Sequence, residues 1–487
     1  MKTCALILSL FLLVGACQAQ EAVLAGLELG ADKTNLERLP IKLNEQFSPS
    51  RLNYTATVEA SYTETLFVTP KLAAGRSAAI SINGGAARPN EPRGVKLALG
   101  VNRISIVVTP PGGPARTYQL AVERKDLSKE YWSEQIGPGM WRIQDFGGFI
   151  GNEDMYLIEG RDRALLFDTG MGRGDLASYV KKLTRLPVDV AITHGNRDHS
   201  LQVDQFPEAT VYMSDLDVTR LPQRLVTPKF KWIKEGDVID IGNGRRYEVI
   251  LVSGHSLGSV VYLDYANKIA ITGDAVSSGS MVYMFAPTCA ALDQYLEALK
   301  KLEARIKGLD GLTLLTGHSY QERVPLRGAA GKQLITDMRI AAEKVLSGEL
   351  EGKPAQTVRD GNVIELRQAQ YGLAGLWYNP KNLRTDPAAL GFLKIQTPAG
   401  ANVVPQPVFS SFQTEYKAEV PASISQLIIT PTAYWADHKQ IAVNGRPAKS
   451  GEPFAAALAA GSNKIDIVVT SARGTARTYT VTISRGG

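Results

Sequence analysis

Cysteine is nearly absent from this 487-residue chain: Cys4, Cys17 and Cys289 are its only three. Two of them lie near the N-terminus, so the body has no pair of cysteines from which to form an internal disulfide. Cys289 has no histidine near it in sequence and reads as an inert core thiol. Histidine is also scarce, with five in all. No phosphate-binding P-loop and no dinucleotide fingerprint occurs, which leaves nucleotide chemistry without support, and serine-hydrolase chemistry is not expected either. Low-complexity tracts are missing. The net charge is only +6, with Lys and Arg dispersed rather than blocked, so there is no basic stripe and no nucleic-acid partner is expected. What remains is a globular composition, 44% hydrophobic and 21% charged, in a chain long enough for about three domains.

The N-terminus begins "MKTCALILSLFLLVGACQAQ": Lys2, an apolar core from Ala5 to Val14, then small residues. That pattern is a secretory signal peptide, and its apolar run is too short to span a bilayer as a stable helix. Val14-Gly15-Ala16-Cys17 resembles a lipoprotein box, which makes Cys17 the expected site of lipidation; simple cleavage near Ala16 or Ala19 is the alternative. Several acyl chains on Cys17 would hold the protein at a membrane surface. The expected location is outside the cytoplasm, on a bacterial cell envelope, and the lipid is the only expected membrane contact.

The two ends of the chain repeat each other. "FVTP" from Phe67 returns as "IITP" from Ile428, and "ISING" from Ile80 as "IAVNG" from Ile441. "LALGVNRISIVVT" from Leu97 returns as "LAAGSNKIDIVVT" from Leu458, and "ARTYQLAVER" from Ala115 as "ARTYTVTISR" from Ala476. All four pairs keep one constant offset. Each copy alternates apolar and polar residues in short runs broken by Gly, Pro and Asn-Gly, the signature of antiparallel hairpins. About seven such strands in roughly 100 residues make a β-sandwich. The copies resemble the cadherin-like β-sandwich domain of bacterial exported proteins, for which a spacer role is the plainer expectation and a binding role the alternative.

The centre reads differently. Strand-like runs such as "RALLFDTG" alternate with helical spacings at Gly174–Leu186, Ala291–Ile306 and Thr336–Leu350, which implies layered strands and helices. "GLAGLWYNP", Gly372 to Pro380, reads as an edge strand leading towards the second sandwich. The expected organisation is a leader at 1–17, a sandwich at 22–125, a central domain at 130–385 and a second sandwich at 395–487.

Four of the five histidines fall in that centre, each where an apolar run ends: His194 and His199 in "ITHGNRDHS", His255 in "LVSGHSLGS", His318 in "LLTGHSY". Asp168 in "ALLFDTG" and Asp274 in "IAITGDAV" end two more such runs. Strand ends in layered α/β domains gather at one rim, where ligands bind. Histidines and carboxylates collected there suit a metal ion.

In this order the segments from Trp141 to Tyr320 resemble the metallo-β-lactamase fold superfamily, mostly metal-dependent hydrolases whose first motif is H-x-H-x-D-H. The resemblance implies a central αβ/βα sandwich between two all-β sandwich domains. It also implies metal ligands at His194, Asn196, Asp198, His199, His255, Asp274 and His318, with Asp168 supporting them from behind. Asn196 departs from the motif, where a second histidine is usual. Asp198, His199 and His318 suffice for a catalytic zinc, and Asp274 would bridge to a second ion. An amide oxygen is a weaker and harder donor than imidazole, so that second position would hold zinc less tightly or prefer Mn or Fe. One ion or two is therefore open. The implied chemistry is a metal-bound hydroxide attacking an ester, phosphoester, lactone or amide, with Asp198 and Asp274 as catalytic carboxylates. Tyr283 and Tyr320, close to the motifs in sequence, are the candidate oxyanion or leaving-group donors. The expected substrate is a small molecule or a cell-envelope component. The competing reading is a non-catalytic surface binding or adhesion protein whose centre has lost activity, and Asn196 alone favours it. Rim loops set the substrate in such folds, here His199 to His255 and Arg323 to Pro380, and nothing in them names a ligand.

Overall fold

A computed structural model describes residues 23–32, 38–58, 65–125, 130–145, 153–222, 225–227, 229–359 and 362–486. The expected leader, with Cys17, lies outside the described residues. The chain divides into one unit ending at Leu127 and a second beginning at Ser128.

The first unit is a sandwich of a four-stranded and a five-stranded sheet. Period-two patterning builds it. In Gly100–Thr109 the side chains of Ile104, Ile106 and Val108 are buried, and their neighbours face outward. Strands Ala79–Ile82 and Gly85–Ala87 are joined by Asn83-Gly84, both at positive φ (50° and 77°), as a tight two-residue hairpin turn requires. Tyr54 and Tyr118 are buried, and their hydroxyls donate to Ser48 O at 2.6 Å and Pro49 O at 3.0 Å.

The C-terminal sandwich repeats these devices with sheets of three and five strands. Asn444-Gly445 turns at φ 49° and 75°, while Tyr416 and Tyr479 donate to Ser410 O and Ser411 O at 2.7 and 2.8 Å. It belongs to the second unit and is packed onto the centre. Leu216 and Leu257, from central loops, lie against its core of Phe392, Phe409, Tyr416 and Tyr479.

Between Tyr131 and Thr316 two sheets face each other. The first has seven strands in chain order from Tyr131–Gly137 to Phe230–Ile233, turning parallel from Ala164–Phe167 onward. The second has five, from Val238–Gly242 to Thr313–Thr316, with the last pair parallel. Phe167, Tyr156 and Leu165 of one sheet interlock with Tyr247, Tyr262 and Ile271 of the other. Helix Leu176–Leu183 covers the outer face of the first sheet through Leu176 and Val180. Helices Leu292–Ile306 and Ala329–Ser347 cover the second through Leu299, Leu302, Leu334 and Met338. Each such fully buried side chain contributes about 1.5–3 kcal/mol. This is the αβ/βα layering expected of the centre.

One strand expectation needs correction. Ala374–Tyr378 is not at an edge: it pairs with Met281–Met284 on one side and Asn362–Tyr371 on the other, inside a separate four-stranded sheet. All five of its residues are buried: Ala374, Leu376 and Tyr378 join the core beneath the two helices, and Trp377 packs with Met281 and Leu366. Among the described residues no helix is long and apolar enough to cross a membrane.

Candidate metal centre

The rim of the two sheets collects the residues singled out above. Asp168 follows Ala164–Phe167, His194 follows Val188–Ala191, Asp274 follows Ile269–Gly273 and His318 follows Thr313–Thr316. Asp198 and His199 sit on the single turn Arg197–Ser200, directly after Asn196, and His255 lies beyond Arg245–Leu251. His194, Asp198, His199, His255, Asp274 and His318 are all buried.

Asp168 sets the protonation pattern of two histidines. It stands at φ 61°, an uncommon left-handed conformation for a non-glycine residue. Its Oδ1 accepts the Thr193 N–H at 2.7 Å, and its Oδ2 accepts both the Thr193 hydroxyl and His199 Nδ1–H at 2.8 Å. The carboxylate only accepts, so His199 carries its proton on Nδ1 and turns Nε2 into the site. Because the Thr193 hydroxyl donates to Asp168, its oxygen accepts from His194 Nδ1 at 3.1 Å, and His194 likewise turns Nε2 inward.

Four donor atoms then face one another. His199 Nε2 lies 3.7 Å from Asp198 Oδ2 and 3.8 Å from Asp274 Oδ1; His318 Nε2 lies 3.7 Å from each of the same two oxygens. Asp198, His199 and His318 form one group with ligand atoms within 4.8 Å of one another, and His194, His199 and Asp274 form another. His199 Nε2, His194 Nε2 and Asp274 Oδ1 are buried without a hydrogen-bond partner, a costly arrangement unless a cation completes it. Two imidazoles and two carboxylates at this spacing suit zinc, which binds such donors at about 2.0–2.2 Å. Glycine keeps the space open: a Cβ on Gly317 would come 2.5 Å from Asp274 Oδ1 and 2.7 Å from His199 Cε1.

The electrostatics agree with a cation site. Burial would lower the His199 pKa, but Asp198, Asp168 and Asp274 outweigh it and push it up to about 10. Burial would raise the Asp274 carboxyl, yet His318, His199 and His255 pull it below its ordinary value. Burial, with the surrounding histidines and Arg220, holds His194 well below the ordinary histidine range, so it is neutral.

Asn196 is not turned towards these donors. Its Oδ1 accepts from Arg220 Nη1 at 2.7 Å, and its Nδ2 lies 2.7 Å from His255 Nε2. His255 Nδ1 meets Tyr283 O at 2.8 Å. Tyr283 packs edge-on against Phe285 and Trp377, and burial followed by the nearby Asp274 raises its phenol above the ordinary tyrosine range. Gln321 Nε2 donates to the Tyr320 hydroxyl at 2.8 Å, and the Tyr320 ring stands edge-on to His318.

Sequence reasoning missed Asp217 and Arg220, in the 3-10 turn Asp215–Arg220. Asp217 is fully buried and ties two ligand-bearing loops together. It accepts from Gly195 N at 2.8 Å, Ser256 Oγ at 2.6 Å and Gly258 N at 2.9 Å. Arg220 lies 3.5 Å from it through Nε. Only the three-residue spacing of Asp and Arg hinted at a pair. Glu153 was missed as well; burial, then Asp145 and Asp198 nearby, hold its carboxyl well above the ordinary range. Sequence reasoning also read no serine nucleophile elbow, yet Gly254-His255-Ser256-Leu257-Gly258 spells its G-x-S-x-G. The structure excludes that role: Ser256 is fully buried, its hydroxyl is held by Asp217 and Ser259, and no helix follows it.

Comparison with known proteins agrees with this architecture. Residues 149–318 match the metallo-beta-lactamase superfamily, and residues 33–125 and 392–486 match the cadherin-like beta sandwich domain. An acyl-coenzyme A thioesterase of Gallus gallus is 29% identical over 184 residues, 30% of this chain and 66% of the thioesterase. The Homo sapiens thioesterase is 27% identical over 193 residues, 31% of this chain and 68% of that protein. A hydroxyacylglutathione hydrolase of Jannaschia sp. is 28% identical over 169 residues, 34% of this chain and 61% of the hydrolase. The chain thus spans about two thirds of the length of these relatives. Among solved structures, a metallo-beta-lactamase from Pontibacter korlensis is 19% identical, covering 44% of this chain and 99% of its own, with a TM-score of 0.36.

Proposed function

We propose that this metal-dependent hydrolase of the metallo-beta-lactamase fold, flanked by cadherin-like sandwiches, is exported and cleaves acyl esters or thioesters. The observation that carries the reading is the cluster of Asp198 Oδ2, His199 Nε2, His318 Nε2 and Asp274 Oδ1, whose buried atoms His199 Nε2 and Asp274 Oδ1 have no partner in the protein. The relatives named for an acyl-coenzyme A and a hydroxyacylglutathione support an acyl bond as the target. The signal-like N-terminus and the two sandwiches support export, and the Val14–Cys17 segment supports a lipid anchor.

Asp198, His199, His318 and Asp274 would hold the ion. When bound, it supplies a Lewis acid that acidifies water and polarises an acyl oxygen, with zinc the best match to this donor set. The chain's own residues do the positioning. Asp168 fixes His199 with its Nε2 inward, and through Thr193 it fixes His194 the same way. Ser278 Oγ, donating at 2.7 Å to Asp274 Oδ2, leaves Oδ1 for the site. The Tyr283 hydroxyl donates to Met281 Sδ at 3.3 Å and would have to leave that sulfur to donate to an acyl oxygen.

The test is turnover of a short-chain acyl thioester, a carboxylic ester, a β-lactam and a phosphodiester by the full chain and by Asp198→Ala. Hydrolysis of the acyl substrates, lost in the variant, is the expected result. No turnover of any substrate would favour a non-catalytic surface protein. Turnover confined to the β-lactam or phosphodiester would overturn the acyl assignment.

A further inference from the structure

We propose that the chain binds one catalytic metal ion, held by Asp198, His199, His318 and Asp274, and that Arg220 and Asn196 close the position a second ion would need. The inference rests on the metallohydrolase reading and deepens it.

Hydrogen-bond logic assigns every atom around Asn196. A guanidinium has donors and no acceptor, so the atom facing Arg220 Nη1 at 2.7 Å is the amide oxygen. The amide NH2 therefore faces His255 Nε2 at 2.7 Å, and that nitrogen must accept. The His255 proton is then on Nδ1, where it donates to Tyr283 O at 2.8 Å. The chain Arg220 to Asn196 to His255 to Tyr283 is consistent in every direction, and it uses both the amide oxygen and the imidazole lone pair that a second ion would need.

The bridging aspartate shows the same asymmetry. Asp274 Oδ2, 3.8 Å from His255 Nε2, accepts from Ser278 Oγ. Asp274 Oδ1, which faces His199 and His318, has no partner. Of the donors on the His255 side, His194 Nε2 alone is unpartnered, and the group it forms with His199 and Asp274 draws on two ligands that the catalytic ion already uses.

Arg220 is anchored as a fixed part of the protein. Its Nη2 donates to Thr288 O at 2.8 Å, and Asp217, itself holding Gly195, Ser256 and Gly258, lies 3.5 Å from its Nε. Leu216 and Leu257, beside these residues, are packed against the core of the C-terminal sandwich. A permanently charged guanidinium in that place opposes a dication. Arg220 is thus a positioning residue, acting through Asn196.

Cobalt(II) and zinc titrations of the full chain, read by visible absorption and by metal analysis after dialysis, test this. Wild type should saturate at one equivalent, and Arg220→Ala/Asn196→His, which removes the guanidinium and supplies an imidazole, should take a second. Two equivalents in wild type overturn the inference and leave the hydrolase reading standing. No bound metal overturns the hydrolase reading itself. A folded double variant that still stops at one equivalent removes Arg220 and Asn196 as the cause. If that variant does not fold, the wild-type stoichiometry alone decides.

Discussion

Replacing Asp168 by asparagine exchanges one oxygen for an NH2 at a residue whose bonds run to Thr193 and His199. In the native site its two oxygens accept three hydrogen bonds, from Thr193 N, Thr193 Oγ1 and His199 Nδ1, at 2.7, 2.8 and 2.8 Å. Asparagine keeps one acceptor oxygen. If it stays on the Thr193 N–H, an NH2 group faces the His199 Nδ1–H, and the imidazole loses its anchor. The loss of a charge-assisted hydrogen bond is about 1.5–3 kcal/mol. That corresponds to roughly 10- to 100-fold in metal affinity, the usual cost of removing a partner behind a metal-binding histidine. A second effect has the opposite sign. Asp168 is one of three carboxylates that overcome burial and raise the His199 pKa to about 10, so at neutral pH a metal must displace a proton. Without Asp168 that proton is held less tightly, which partly offsets the loss at pH 7 and ceases to matter near pH 10. The zinc Kd, measured by competition with a chromophoric chelator, should therefore weaken in Asp168→Asn at both pH values, with the larger ratio at the higher pH. A Kd unchanged within twofold at both, or a larger ratio at pH 7, refutes the reasoning; circular dichroism checks that the variant is folded.

Gly317→Ala places a methyl 2.5 Å from Asp274 Oδ1 and 2.7 Å from His199 Cε1, so it should abolish zinc binding while leaving the circular dichroism unchanged, and normal zinc content would contradict the close approach. Asp198→Ala removes a donor 3.7 Å from both His199 and His318 and should eliminate turnover of any accepted substrate; full activity would remove Asp198 from the mechanism. In metal-free protein the folded His199 pKa is raised from 6.5 to about 10, so its contribution to stability is complete below about pH 6.5 and lost as pH rises through about 10. The thermal midpoint of chelated protein should fall across that window, and a flat profile would contradict it.

Much of this arrangement was legible in the chain because it obeys local rules. Alternation in Gly100–Thr109 and Gly461–Thr470, with Asn-Gly between shorter runs, marks paired hairpins whatever they pack against. His194, Asp274 and His318 each follow an apolar strand, so a rim of ligands could be drawn from the run endings alone. Asp217 and Arg220 obey no such rule. They lie in a 3-10 turn without periodicity, and their importance comes from partners far away in sequence: Gly195, Asn196, Ser256 and Thr288. The strand Ala374–Tyr378 failed for the same reason, since its neighbour Met281–Met284 arrives from a distant part of the chain. Asn196 could be recognised as a departure from the metal motif, but only a guanidinium from a different loop explains what the asparagine does. The second sandwich, plain as a repeat, gave no sign that Leu216 and Leu257 would dock against it.

Zinc content and acyl-thioester hydrolysis, followed together on the full chain through chelation and re-addition, bear directly on the cluster of Asp198, His199, His318 and Asp274. Hydrolysis should disappear as zinc is withdrawn and return in full with one equivalent per chain. Hydrolysis that survives complete removal of metal, or a chain purified without chelator that carries none, would contradict the assignment of these residues.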